Sequence, residues 1–154
     1  HVLNMLAAHA RGDLLMIVGD DTIFATPGWD TALIKAYEAL DDKRHVFSLR
    51  DSRSDSGTPH PVVTRALVEA LGYLAPPLFL HFYVDTWLVE IAKATGKFTK
   101  LDDYLLVHDK PSDRGVPDHT HTRIRDMGWH ERDAMTYKLC QRYLQADIDR
   151  ILHG

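Results

Sequence analysis

Two adjacent carboxylates, Asp20 and Asp21, stand in Gly19-Asp20-Asp21-Thr22 directly after the apolar run Leu14-Leu15-Met16-Ile17-Val18. A buried strand leaving into a turn there would carry both to a strand's carboxyl end, where open α/β sheets bind ligands. Neighbouring carboxylates repel each other, and a divalent cation with oxygen ligands removes that repulsion. The competing reading is a turn closed by one aspartate that accepts backbone amides. His108 follows Leu105-Leu106-Val107 in the same way. An imidazole at one strand end can reach a metal held by the next, and Mn²⁺ accepts mixed carboxylate and imidazole ligands. A structural histidine is the alternative. Asp85 opens an apolar-periodic stretch, where a carboxylate serves either as a first-turn cap or as a general base aimed into a cleft.

Other residues carry weaker signals. In Asp118-His119-Thr120-His121 the histidines would share one face of a strand and could bind metal, against a solvated polar loop. Arg50 and Arg53 flank a Ser/Asp/Gly loop and could meet a phosphate or an acceptor, although exposed arginines are ordinary. Trp29 and Trp87 could stack on a sugar ring, but their apolar neighbours favour the core. Cys140 reads as an inert buried thiol, and Arg11-Gly12-Asp13 as a coincidental tripeptide at a helix-to-strand joint.

The elements that must position these groups follow from periodicity and punctuation. Val2, Leu3, Leu6, Ala7 and Ala10 give a helix over 2–10 ended by Gly12, and 14–18 reads as a strand buried on both faces. Thr26-Pro27 reads as N-cap and first helical position of a helix through Leu33, Ile34, Tyr37 and Leu40. A strand over 46–49, a polar loop over 51–59 and a helix from about Pro61 to Leu71 follow. A helix over 84–95, strand material within 98–107, a loop over 109–123 and one long helix over 129–152 complete the chain. Alternating strands and helices define an α/β fold, with no internal repeat.

With 154 residues the chain fits a single domain, 1–154. Its 18 Lys+Arg against 22 Asp+Glu, net −4, argue against a non-specific nucleic-acid binder, and one cysteine rules out an intramolecular disulfide. No apolar run approaches the ~20 residues of a membrane helix, which leads to the expectation of a cytoplasmic protein, at most peripheral to a membrane. A helix starting at residue 2 without a cap points to a fragment of a longer protein.

The ordered series of Leu3-Asn4-Met5, Ala10-Arg11-Gly12-Asp13, the 14–18 run, Gly19-Asp20-Asp21-Thr22 and Pro27-Gly28-Trp29 resembles part of a known family. The series continues through His60-Pro61-Val62, Leu71-Gly72-Tyr73, the 81–87 segment around Asp85, and Val107-His108. It is similar to the second half of a GT-A fold glycosyltransferase of the family 2 type, over about residues 3–110. The resemblance implies a partial GT-A, Rossmann-like mixed sheet flanked by helices, with 1–110 as the catalytic portion and 111–154 as a loop plus C-terminal helix. It further implies that Asp21 and His108 bind Mn²⁺ or Mg²⁺, that Asp20 contacts the donor sugar or ribose, and that Asp85 is the catalytic base of an inverting transfer. Gly19 departs from the acidic first position of the metal motif, and Val84-Asp85 from the usual Glu-Asp pair.

The implied activity is transfer of a sugar from a nucleoside diphosphate donor to a hydroxyl of a glycan, lipid or protein. A missing first half would bind the nucleotide, and its loss would favour self-association through exposed sheet edge. The alternatives are a divalent-metal phosphotransferase or hydrolase using the same acidic strand end, and a non-catalytic carbohydrate- or protein-binding module.

Overall fold

The computed structural model of the chain describes residues 2–53, 58–109, 115 and 119–154. Strands β1 (Leu14–Met16), β2 (Thr22–Phe24), β3 (Val46–Asp51), β4 (Val62–Thr64) and β5 (Phe98–His108) form one mixed sheet in the order β1-β4-β3-β5-β2. The helices are α1 (Val2–His9), α2 (Trp29–Glu38), α3 (Arg65–Leu71), α4 (Val84–Ala94), α5 (His119–Asp126), α6 (Trp129–Leu139) and α7 (Gln141–His153). The chain is therefore α/β, a mixed sheet flanked by helices with a helix at the C-terminal end, as its alternating pattern predicts.

Strand direction decides where the chemistry collects. β3 and β5 run parallel, β4 is antiparallel to β3, β1 to β4, and β2 to β5. β1, β3 and β5 thus end on the same side of the sheet on which β2 and β4 begin. All five strands present a terminus to one edge.

Alternation along the central strand separates two apolar layers. Val46 packs with Leu67, Leu71, Trp87, Leu88 and Ile91 on one face, whereas Phe47 packs with Leu33 and Val62 on the other. α4 is helical because Val84, Trp87, Leu88 and Ile91 recur at helical spacing, and it buries that stripe against the larger layer. α7 docks through a buried polar network: Tyr73 and the Trp87 indole both donate to Asp147, and Arg150 donates to Asp147 at 3.1 Å. Asn4 fastens α1 to the following layer, accepting from the Leu74 and Ala75 amides and donating to the Ala75 carbonyl at 2.7–2.9 Å.

Several boundaries differ from the sequence reading, each for a tertiary reason. The helix expected from Pro61 begins only at Arg65, because Val62-Val63-Thr64 pair between β1 and β3, and Thr64 then caps α3 by accepting the Leu67 amide. Thr26 does not cap α2; its hydroxyl accepts the Leu105 amide at 3.0 Å, and α2 begins after Gly28, whose φ of 78° suits a residue without Cβ. α1 stops at His9, one residue short of the expected 2–10, and the Arg65 guanidinium donates to the carbonyls of Ala10 and Gly12. β1 is shorter than 14–18 and only half-buried, since it lies at the end of the strand order. β2 falls where no strand is expected. The single helix expected over 129–152 is two, broken at Cys140, and 119–126 is helical rather than loop. Among the described residues no helix is long and apolar enough to cross a membrane.

Candidate metal centre

The sheet edge that collects five strand termini also collects the titratable side chains. Asp21 immediately precedes β2, His60 lies two residues before β4, and Asp51 and His108 are the last residues of β3 and β5. Register aligns them: Thr22 pairs with His108, Asp51 with Leu106, and the Asp109 amide donates to the Asp21 carbonyl at 2.8 Å. The His108 Nε2 and Asp21 Oδ2 atoms lie 3.1 Å apart, and both side chains retain partial exposure. The His60 and His108 rings are 5.0 Å apart between centroids, and His60 Nε2 lies 3.3 Å from the Thr22 hydroxyl.

Asp51, His60 and His108 each bring a ligand-type atom to within 4.8 Å of the others. Asp51 is 5% exposed; its Oδ1 accepts the Arg53 amide at 2.8 Å, whereas Oδ2 is buried with no hydrogen-bond partner among the described residues. A buried carboxylate oxygen left in this way is costly unless a cation or donor meets it. Carboxylate oxygen and neutral imidazole nitrogen are the donors that a divalent transition metal takes. The residues present therefore fit a metal ion. Burial, followed by the positive potential of His108, holds the His60 imidazole below its usual range, which favours the neutral form that ligates.

Asp85 lies in the first turn of α4, half-buried, within electrostatic reach of His60. Burial pushes its carboxyl up, and the Thr86 amide, donating to Oδ1 at 2.8 Å, partly offsets that shift. The turn that delivers Asp85 is clasped from behind. Asp133 of α6, fully buried, accepts the amides of Leu80, His81 and Phe82 at 2.9–3.1 Å. Tyr83, next in the chain, has a φ of 66°, uncommon for a residue with a side chain, and hands over directly to α4.

Of the residues singled out from sequence, Asp21 and His108 meet, Asp85 senses their neighbour His60, and Asp20 stands exposed in the turn. Asp51 and His60 were not singled out as site residues. The signal for Asp51 was the one used for His108, a polar residue leaving an apolar strand, but the polar run after it reads as loop. The 118–121 segment, read as a solvated polar loop with a strand-borne metal pair as the alternative, is neither loop nor strand where it is described: His119 and His121 fall within α5, and Asp118 is outside the described residues. Trp87 is core, bonded to Tyr73 and Asp147, whereas Trp29 stacks on Phe24 with centroids 4.1 Å apart. Comparison with known proteins gives no match: no family model, no curated protein and no solved structure aligns with the chain.

Proposed function

We propose that this chain carries the metal-and-base end of a glycosyltransferase of the GT-A type, which moves a sugar from a nucleoside diphosphate to an acceptor hydroxyl on a glycan, lipid or protein. One observation carries the reading: Asp21 and His108, 87 positions apart, meet at the sheet edge beside His60, within whose electrostatic reach lies the half-buried Asp85. An acidic turn used only as a turn has no need of that company.

In this reading Asp21 and His108 are among the holders of a divalent cation. Such an ion, when bound, neutralises the charge that develops on a diphosphate leaving group. Asp20, exposed beside it, contacts the donor's sugar or ribose. Asp85 receives the proton of the acceptor hydroxyl as that oxygen attacks the anomeric carbon from the face opposite the diphosphate. The new glycosidic C–O bond forms as the bond to the diphosphate breaks, and the diphosphate departs with the bonding pair. The upward shift that burial gives Asp85 makes its ionised form a stronger base than an exposed aspartate.

The test is a mass-spectrometric assay of UDP- and GDP-sugars with a panel of acceptors in the presence of Mn²⁺. Acceptor-dependent glycoside with inverted anomeric configuration is expected. Asp85→Asn should lower turnover by about 10²- to 10⁴-fold and leave Mn²⁺ binding intact. Donor cleavage at the same rate without any acceptor would replace this reading with a hydrolase or phosphotransferase.

A further inference from the structure

We infer that Asp51 and His60 are metal ligands, and that with His108 they form a two-imidazole, one-carboxylate face that selects a first-row transition dication such as Mn²⁺ over Mg²⁺ and Ca²⁺. The inference rests on the metal part of the proposed function and changes which residues hold the ion.

Geometry comes first. Donors bound to one ion at about 2.1–2.3 Å stand about 3 Å apart when adjacent and about 4.6 Å apart when opposite. The candidate atoms of Asp51, His60 and His108 all lie within 4.8 Å of one another, so small side-chain rotations close the set. The 3.1 Å between His108 Nε2 and Asp21 Oδ2 is the spacing of two adjacent ligands. Asp21 is then a fourth donor. At 24% side-chain exposure it is the more exchangeable carboxylate, whereas Asp51 is 5% exposed and fixed at the end of the central strand.

Satisfaction of polar atoms points the same way. The Oδ2 atom of Asp51 is buried without a hydrogen-bond partner among the described residues, a cost that a bound cation would remove. His60 is 7% exposed, touches the Thr22 hydroxyl only at 3.3 Å, and also reaches the Ile17 backbone. A backbone partner for an otherwise lightly bonded ring is the support that metal-binding histidines commonly have.

Donor chemistry sets the metal. Mg²⁺ requires a near-ideal octahedron of oxygens and gives up water reluctantly, and Ca²⁺ likewise takes oxygen ligands. Two imidazole nitrogens replace two of those oxygens. First-row transition dications accept that exchange, and a face of two histidines and one carboxylate leaves positions open for further oxygen ligands such as those of a diphosphate.

The experiment is a Mn²⁺ titration of the metal-free chain by electron paramagnetic resonance, with Mg²⁺ competition and electron spin echo envelope modulation to count coupled imidazole nitrogens. Two coupled nitrogens are expected, falling to one in His60→Gln. Binding should survive about a hundredfold excess of Mg²⁺. Asp51→Asn and His60→Gln should each weaken binding about tenfold or more, with unchanged circular dichroism. The nitrogen count on the unaltered chain stands even if a variant fails to fold. A single coupled nitrogen, or displacement by equimolar Mg²⁺, overturns the inference and leaves Asp21 and His108 as the holders. A chain that binds none of these cations overturns both the inference and the metal part of the proposed function.

Discussion

A Cβ built on Gly19 would stand 2.5 Å from Oδ1 of Asp21, closer than real Cβ atoms approach. The atom that must yield is the end of a side chain, so the backbone is spared, but that side chain is the carboxylate facing His108. Gly19→Ala should therefore melt within about 3 °C of the parent while binding Mn²⁺ about tenfold more weakly. A thermal melt run beside a spin-resonance titration checks both halves, and unaltered binding would mean that Asp21 is not a ligand. At this scale the sequence was half legible. Asp21 and His108 stood out because each leaves an apolar run. Asp51 met the same condition but was followed by a polar stretch, and His60 was hidden by Pro61, which reads as a helix start.

Among the elements, the turn before α4 depends most on a distant partner. Three successive amides, those of Leu80, His81 and Phe82, have the fully buried Asp133 carboxylate as their acceptor, and removing it would leave three part-buried donors without one. Asp133→Ala is expected to cost about 3 kcal/mol of stability or more in urea unfolding. It should also speed hydrogen exchange at residues 80–82 ahead of the sheet. A loss below about 1 kcal/mol would mean that water replaces the carboxylate. Elements with a strong internal pattern, such as β3 and α4, were readable from sequence. β4 was not, because three residues become a strand only when β1 and β3 lie on either side of them. Cys140 breaks the last helical stretch without a proline or glycine to announce it, so periodicity ran straight through.

For the molecule as a whole, acid sensitivity is set partly by His45, far from the candidate site along the sheet. It is buried beside Thr99, whose hydroxyl lies 2.8 Å from its Nε2. Burial first, and then the charge of Lys97, holds its imidazole below the ordinary value of 6.5. Below about pH 6.5 the unfolded chain therefore binds more protons than the folded one, and stability contributed by neutral His45 falls as pH drops towards the folded value. Urea midpoints for the parent should decline from about pH 7.5 to 5.5, and more steeply than for His45→Gln; the difference isolates this residue from His60, which has the same sign. The α/β class was legible because it is a property of many residues at once, whereas strand order was not, being fixed by partners far apart in sequence. That remoteness bears on the timing of assembly. Asp21, Asp51, His60 and His108 come together only when β5 has closed on both β2 and β3, and the β3–β5 pairing spans about fifty residues. Such non-local closures are the slow steps of folding. A nascent or partly folded chain thus lacks the assembled set of side chains, and a cation that binds at this edge would act as a brake on unfolding rather than as a template for folding.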